Sequence, residues 1–362
     1  MKTIVRGIAA LYLFCASTSA FAGNLPNSSF WVGYNEAWFA DKYINWLAQN
    51  PSFPFMGNPY PSGFDGGFVD KVFAGMQNGA AKIVRIWVFP GLQGIYIDNG
   101  GQTVGLTDDF FNPKKLYLQQ VLSLAGNRGL KVYITALNGN DATYHQPYFK
   151  NLFNDSGREA YKRNALGPLL DILNEFQNVI YALDLINDIE APLNAGYIPN
   201  NWLGAQDWIR NMAGFVKQRS PWLPVTSTAG WGWAVQEITF GLFSNLGLNF
   251  YDLHVYADSG TYSGETALCN KVSADGVPIV LGEFGQKSHV VDDDLQKTAT
   301  YNFLSGATPP QHCFSSALAW MYEEGNVPGS EPWFSYLKPD GITPRKAYCT
   351  IKKFPASWLC PP

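Results

Sequence analysis

The sequence predicts an α/β protein whose single folded domain is a (β/α)8 barrel, the TIM-barrel class. Short apolar runs alternate with helical patterns, an order typical of parallel strands joined by right-handed crossovers. The apolar runs number eight, which fits a closed barrel better than an open, doubly wound sheet. The predicted strands are Phe30–Asn35, Ile83–Phe89, Lys131–Leu137, Ile180–Ile186, Val225–Ala229, Tyr251–Tyr256, Pro278–Glu283 and Ser316–Tyr322.

The helices are predicted from apolar residues that recur every three or four positions between these strands. The second helix has Pro113 before it and Gly129 after it, residues that favour a helix start and a helix end. The run Asp292–Asp294 is interpreted as the solvated start of the last helix. The predicted helices are Phe68–Asn78, Lys114–Asn127, Glu159–Gln177, Gln206–Gln218 and Asp294–Leu304.

Residues 1–22 have the pattern of a secretory signal peptide, which would leave residues 23–362 as the barrel domain. Lys2 and Arg6 form a basic start, Ile8–Cys15 an apolar middle, and Ala20–Ala22 a small-residue cleavage site. The apolar middle is short for a membrane span, and no later segment approaches the roughly 20 apolar residues needed. We therefore expect a secreted or periplasmic protein without membrane insertion.

Composition favours a carbohydrate partner over nucleic acid. Charged residues make up 15% of the chain and the net charge is −4, whereas nucleic-acid-binding proteins carry basic patches. Aromatic residues also make up 15%, and their rings suit both core packing and stacking against sugars. No Gly-x-Gly-x-x-Gly turn follows the first strand and the histidines are scattered, so we expect no cofactor and no metal. We expect a monomer that binds a polysaccharide or an oligosaccharide.

Four cysteines remain after the predicted signal peptide, and an even number in an exported chain suggests disulfides. The spacing favours a local Cys349–Cys360 pair, which would leave Cys269 to pair with Cys313. Spacing alone does not prove this connectivity.

Acidic residues at two strand ends are the candidates for chemistry. Glu283 follows the apolar run Ile279–Gly282, and both Asp188 and Glu190 follow the strand at Val179–Ile186. A carboxylate beside a buried strand is costly to desolvate, and barrel enzymes place catalytic residues at the C-terminal ends of strands. Two carboxylates about 5–5.5 Å apart can cleave a glycosidic bond with retention, one as nucleophile and one as acid/base. The pattern predicts a glycosidase with Glu283 as nucleophile.

Motifs on five of the strands occur in matching order: Phe30–Asn35, Val84–Phe89, Asp252–Tyr256, Leu281–Gly285 and Ala319–Tyr322. Together they resemble clan A of the glycoside hydrolases, particularly the cellulase family (family five), which includes endoglucanases and endo-mannanases. The resemblance implies that Arg85 supports the nucleophile and keeps it ionised. It also implies that His254 and Tyr256 border the cleft and that Trp320 forms the floor of the sugar site.

The fourth strand departs from the family pattern at the acid/base. The family has Asn-Glu there, with the asparagine contacting the sugar 2-hydroxyl, whereas this chain has Asn187 followed by Asp188. Aspartate is shorter by about 1.5 Å, and an acid must come within hydrogen-bonding reach of the oxygen that it protonates. Three interpretations stay open: Asp188 is advanced by a local loop change, Glu190 replaces it after a two-residue slip, or acid catalysis is lost. We favour Asp188.

Other residues near the predicted strand ends are weaker candidates. Trp231 and Trp233 follow the fifth strand and are either sugar platforms or loop anchors. Arg85 has a structural alternative, an ion pair with Asp184 in the middle of the fourth strand, and one network can include both roles. Candidate subsite groups at the same rim are Asn138, His145 and Glu323.

The sequence thus predicts a retaining glycosidase acting on a β-linked polysaccharide, with β-1,4-mannan or glucan preferred. The Arg85–Phe89 motif and a third strand without the histidine common in cellulases resemble endo-mannanases slightly more. One alternative is a hydrolase of bacterial exopolysaccharide. The other is a non-catalytic carbohydrate-binding protein on a decayed hydrolase barrel, which would tolerate Asp188.

Overall fold

The computed structural model describes residues 24–26, 29–37, 66–92, 94–106, 117–143, 146–230, 232–257, 259–286, 292–308, 313–322, 334–338 and 341–354. The predicted signal peptide at residues 1–22 lies outside them. Within the described residues, none of the helices combines the length and apolar character that a bilayer crossing requires.

Eleven strands occur in these ranges, and nine of them form one parallel sheet. The strands are β1 (Trp31–Asn35), β2 (Ile83–Trp87), β3 (Ile95–Ile97), β4 (Thr103–Leu106), β5 (Lys131–Asn138), β6 (Ile180–Asn187), β7 (Val225–Thr226), β8 (Thr228–Ala229), β9 (Tyr251–Tyr256), β10 (Ile279–Gly285) and β11 (Phe314–Ala319). The sheet order is β7-β6-β5-β2-β1-β11-β10-β9-β8. Ser227 alone separates β7 from β8, so these two segments form one interrupted strand. The two ends of the sheet therefore meet, and the sheet closes into a barrel of eight strands. The predicted (β/α)8 fold is confirmed.

Helices connect the barrel strands, and β3 and β4 form a separate antiparallel hairpin after β2. The helices are α1 (Gly66–Asn78), α2 (Tyr117–Asn127), α3 (Gln146–Leu152), α4 (Asp155–Tyr161), α5 (Gly167–Glu175), α6 (Glu190–Asn194), α7 (Trp202–Arg219), α8 (Ala234–Thr239), α9 (Glu265–Asp275), α10 (Asp293–Ala307) and α11 (Lys346–Lys353). Short 3-10 turns at Pro90–Leu92 and Gly139–Thr143 follow β2 and β5.

The barrel strands are apolar because both faces of the sheet are covered. All eight residues of β6 and all seven of β10 are buried, as expected of parallel strands with helices outside and a packed interior. Inside the barrel, Tyr133 packs edge-on against Tyr181 and Phe250, with ring centroids 6.0 Å and 5.8 Å apart. These rings belong to one apolar cluster with Ile83 and Val280.

Several element bounds differ from the prediction. The predicted fifth strand is broken at Ser227, and the eighth ends at Ala319 rather than at Tyr322. The predicted helix Glu159–Gln177 is interrupted by a π-helical turn at Lys162–Leu166. The β3–β4 hairpin and helix α9 were not predicted. The expected helix start at Asp292 is confirmed, since its carboxylate accepts hydrogen bonds from Asp294 N and Leu295 N.

The predicted disulfide between Cys269 and Cys313 is present, with the two Cα atoms 5.4 Å apart. It joins α9 to the residue before β11. Cys349 is also disulfide-bonded, and Cys360, which we expect to be its partner, lies outside the described residues.

Candidate active site

A cavity of about 790 Å³ opens at the C-terminal ends of the barrel strands. Asn187 and Asp188 reach it from the end of β6, His254 and Tyr256 from β9, and Glu283 from β10. These strand-end residues therefore converge on one cleft, which is where barrel enzymes carry out their chemistry. Its further lining includes Trp87, Asn138, Asn140, Gly230, Trp320 and Phe334.

Glu283 is held by two donors at the floor of this cavity. Arg85 Nη1 donates to Glu283 Oε1 at 2.5 Å, and the Tyr256 hydroxyl donates to Oε2. The Glu283 side chain is about 5% exposed, so the carboxylate is desolvated except toward the cavity. Burial raises the pKa of Glu283 to about 8, although Arg85 opposes the rise. The expectation that Arg85 keeps this pKa low is therefore wrong: the guanidinium acts in that direction, but desolvation outweighs it.

Arg85 stands at the centre of a wholly buried network. Besides Glu283, it donates from Nη2 to Asp184 Oδ2 at 2.9 Å and to Asn187 Oδ1 at 2.8 Å. Nη1 also lies 3.2 Å from Asn35 Oδ1. Arg85 thus pairs both with Glu283, its expected functional partner, and with Asp184, its expected structural partner, as the sequence allowed.

Asp188 enters the cavity through an unusual backbone conformation directly after β6. Its φ is +51°, in the left-handed region that non-glycine residues rarely adopt. Asn140 Nδ2 donates to Asp188 Oδ2 at 2.8 Å, and His254 Nδ1 lies 3.2 Å from Oδ1. Burial raises the pKa of Asp188, but hydrogen bonding to His254 and Asn140 outweighs it, so the pKa is lowered. This positive φ is a local backbone change of the kind that the first of the three interpretations of Asp188 requires.

His254 links the two carboxylates. Its Nδ1 lies 3.2 Å from Asp188 Oδ1 and 3.4 Å from Glu283 Oε2. Because both oxygens are this close to one atom, they are no more than about 6.6 Å apart, which accommodates the spacing of roughly 5–5.5 Å found in retaining glycosidases. Burial lowers the pKa of His254 to about 4, so the ring is neutral at pH 7. Its single N–H can serve one carboxylate at a time.

Glu190, the alternative acid, lies behind the cavity wall in the first turn of α6. Its Oε1 accepts a hydrogen bond from Gly230 N at 2.9 Å, and Glu190 is not among the residues that line the cavity. The carboxyl also forms a hydrogen-bonded pair with Glu237 of α8. Burial and this second carboxyl raise the pKa of Glu190 well above its usual value. Of the two candidates, Asp188 reaches the cleft and Glu190 anchors the loop beside it.

The aromatic candidates divide into three groups. Trp320 lines the cavity beside Trp87, with ring centroids 5.7 Å apart, and Phe334 faces Tyr256. Trp233 is 71% exposed at the start of α8. Trp231, like the subsite candidates His145 and Glu323, lies outside the residues that the structure describes.

Sequence reasoning missed three residues that shape the site. Asn140 lies two positions beyond the end of β5, where the rule that strand ends carry function could have found it. Gly230 and Glu237 have no sequence signal, since their roles depend on contacts with Asp188 and Glu190 about 40 residues or more earlier in the chain. Within the described ranges, no group of three or more His, Cys, Asp or Glu side chains is arranged to hold a metal ion.

Comparisons with known proteins give one curated relative and many similar structures. A mannan endo-1,4-beta-mannosidase from Cryptopygus antarcticus is 22% identical over 245 residues, which cover 58% of this chain and 61% of the relative. The match thus spans about three fifths of that protein's length. No protein-family model matches the chain.

The similar structures share the barrel at low identity. An endo-1,4-beta-mannanase from Eisenia fetida has a TM-score of 0.61 at 20% identity and covers 86% of this chain and 90% of its own. A beta-1,4-mannanase from Aplysia kurodai has a TM-score of 0.59 at 16% identity and covers 92% and 95%. These comparisons confirm the fold and the predicted resemblance to this group of glycosidases.

Proposed function

We propose that this protein is a retaining glycosidase that cleaves a β-linked polysaccharide, with β-1,4-mannan as the first candidate. The observation that supports it best is the pair Glu283 and Asp188, two cavity-facing carboxylates that both lie within 3.4 Å of His254 Nδ1. A pair at this spacing can act on opposite sides of an anomeric carbon. The mannanases among the similar proteins favour mannan over glucan as the substrate.

Glu283 is the proposed nucleophile. Its Oε1 is occupied by Arg85, and its Oε2 accepts from Tyr256 on the side of the cavity. In the first step a Glu283 oxygen attacks the anomeric carbon, the glycosidic C–O bond breaks, and Asp188 gives its proton to the departing oxygen. In the second step Asp188 removes a proton from water, which displaces Glu283 from the sugar. The product keeps the β configuration.

The two roles together require one proton on the pair. With the pKa of Asp188 lowered and that of Glu283 raised to about 8, the pair carries one proton at neutral pH, held mainly by Glu283. Catalysis needs the other arrangement, with Glu283 ionised and Asp188 protonated. The reactive form is therefore the less populated of the two singly protonated forms of the pair. The His254 ring lies between the two carboxylates that exchange the proton.

The remaining cavity residues have supporting roles in this proposal. The Asn187 amide hydrogen-bonds the sugar 2-hydroxyl, and Trp320 stacks beneath the ring at the point of cleavage. Asn140 holds the Asp188 carboxyl at 2.8 Å and so fixes the acid toward the cleft. We keep Trp231 as a proposed sugar platform and Glu190 as the alternative acid.

The test is a reducing-sugar release assay over mannan, glucan, xylan and bacterial exopolysaccharides, with Glu283→Gln as the control. We expect release from mannan or glucan by the wild type and a loss of at least about 100-fold in the variant. Saccharide binding without release from any polymer would instead support the carbohydrate-binding alternative. Release that survives in Glu283→Gln would remove Glu283 as the nucleophile.

Export is a separate proposal. We propose that residues 1–22 are a cleaved signal peptide and that the protein acts outside the cytoplasm as a monomer. The basic, apolar and small-residue segments of the sequence support cleavage after Ala22. The intact mass of the protein recovered from the periplasm or medium tests the cleavage, and its sedimentation tests the monomer.

A further inference from the structure

A hydrogen-bonded chain of side chains runs from the nucleophile's arginine to a carboxylate outside the reaction centre. Arg85 Nη2 donates to Asn187 Oδ1 at 2.8 Å, and Asn187 Nδ2 donates to Asn138 Oδ1 at 3.3 Å. Asn138 Nδ2 then donates to Asp141 Oδ1 at 3.0 Å, while Asp141 Oδ2 accepts from Gly91 N at 2.7 Å. The four side chains are buried, and the chain spans the ends of β2, β5 and β6.

The two ends of this chain fix its direction. A guanidinium can only donate hydrogen bonds. At the other end both Asp141 oxygens accept, from Asn138 Nδ2 and from Gly91 N, and although burial raises the pKa of Asp141 to about 7, these two donors favour the carboxylate. Each amide between Arg85 and Asp141 therefore has one orientation that satisfies both of its neighbours. If Asn138 were flipped, its NH2 group would face the NH2 group of Asn187, and Asn187 cannot flip in turn because Arg85 requires its oxygen.

We propose that Asp141 is a positioning residue for the glycosidase reaction, acting through Asn138 on the Asn187 amide. Asn138 accepts one N–H of Asn187, which leaves the second N–H for the cavity that Asn187 lines. In the proposed reaction this N–H donates to the sugar 2-hydroxyl. This inference rests on the proposed function, since it concerns how an amide that the proposed reaction uses is held in place.

A purely structural role for Asp141 makes a different prediction. The bond to Gly91 N ties the turn after β2 to the turn after β5, and a residue that only joins these turns would affect stability. Arg85 fixes which way the Asn187 amide faces, so the positioning role of Asp141 is to keep the Asn138 oxygen as the acceptor of one Asn187 N–H. Loss of that acceptor would affect kcat for substrates that have the 2-hydroxyl. The two roles can therefore be separated by substrate and by a compensating exchange.

The experiment compares wild type, Asp141→Asn and the exchange Asn138→Asp/Asp141→Asn. The single variant puts two donors in contact somewhere along the chain. The exchange removes the conflict, because the carboxylate that it introduces at position 138 would accept from Asn187, from Asn140 N and from the new amide at position 141. We expect kcat to fall about tenfold in Asp141→Asn, the size of one good hydrogen bond, with KM changing less than about twofold. The exchange should raise kcat above that of Asp141→Asn by at least about threefold.

The substrates are an activated aryl β-glycoside that the wild type cleaves and its 2-deoxy counterpart. On the 2-deoxy substrate, Asp141→Asn and wild type should differ less than about twofold, since the contact being oriented is gone. Equal losses on both substrates, an unchanged kcat in Asp141→Asn, or no recovery in the exchange would each overturn the inference.

If Asp141→Asn does not fold, Asn138→Ala takes its place, because it leaves the Asp141–Gly91 bond intact. A loss of kcat confined to the 2-hydroxyl substrate would again support the inference, and an equal loss or none would overturn it. A wild type that cleaves no glycoside would defeat the proposed function itself. A wild type that cleaves normally beside unaffected variants would defeat the role of Asp141 alone.

Discussion

Gly230 leaves the space that the Asp188 carboxylate occupies. A Cβ built on Gly230 would lie 1.7 Å from Asp188 Oδ1 and 3.2 Å from His254 Nδ1, far inside van der Waals contact. The positive φ at Asp188 turns its side chain against the backbone of Gly230. The position of the proposed acid therefore depends on the residue that follows β8. A glycine here serves close approach to another side chain, because its own φ is not in the left-handed region.

We expect Gly230→Ala to lower kcat about 100-fold or more, since displacing a catalytic group by about 1 Å can cost that much. Gly232→Ala is the matched control. It lies on the same cavity wall, but a Cβ there would meet nothing within 4 Å. Steady-state kinetics and thermal unfolding of both variants check the prediction. Similar kcat values in the two would show that the Asp188–Gly230 contact does not position the acid.

Asp188→Asn and Glu190→Gln should separate the two candidate acids. On a natural polysaccharide we expect Asp188→Asn to lower kcat by about 10² to 10⁴, the usual contribution of general acid catalysis. On an aryl glycoside whose leaving group needs little protonation, the loss in the glycosylation step should shrink substantially. Glu190→Gln keeps the acceptor for Gly230 N and should retain most activity on both substrates. The opposite pattern would identify Glu190 as the acid.

The pH profile of kcat/KM should be bell-shaped, because the reaction needs one proton on the Asp188–Glu283 pair. Activity should fall above about pH 8 as the pair loses that proton, since the pKa of Glu283 is raised to about 8 by burial. It should also fall in acid, as a second proton reaches Asp188, whose pKa is lowered. Both limbs belong to the pair rather than to one residue. Activity that keeps increasing through pH 9 would contradict this account of the site.

Glu190→Gln should reduce the loss of stability with rising pH. Because the folded-state pKa of Glu190 is raised above its unfolded value, the folded state holds a proton that the unfolded chain has released. The free energy of unfolding therefore falls as pH rises from about 4.5 toward the folded pKa. The introduced amide supplies a permanent donor to Glu237, so the variant should be more stable than wild type at pH 8, by about 1–3 kcal/mol. Denaturant unfolding at pH 5 and pH 8 measures the change in slope.

The sequence located Glu283, Arg85 and His254 well because each is a polar residue inside or beside an apolar strand. Such residues are costly to bury, so their presence marks a site without knowledge of the contacts. The choice between Asp188 and Glu190 was different in kind. It depends on a backbone φ and on Glu237, which follows Glu190 by 47 positions, and neither is visible in the local pattern.

The missed elements have similar causes. Helix α9 carries few apolar residues, and only Leu268 and Val272 are buried, so its helical period is weak. The hairpin of β3 and β4 has strands of three and four residues, too short for a clear alternation. The pKa of Glu283 was misjudged because the sequence revealed its cation but not the depth of its burial.

The pairing of β10 with β9 has a consequence for how this barrel could change over time. Leu281 pairs with Leu253 and Glu283 with the very next residue, His254, so Gly282 is an extra residue in its strand. A Cβ at position 282 would lie 1.9 Å from Asp252 Oδ1 and 2.5 Å from Asp252 Oδ2. The register that places Glu283 beside His254 thus depends on Gly282 and on Asp252, which does not line the cleft. A lineage that replaced Asp252 by a smaller residue would make room for a side chain at position 282, and the pairing of Glu283 with His254 would then no longer require a glycine there.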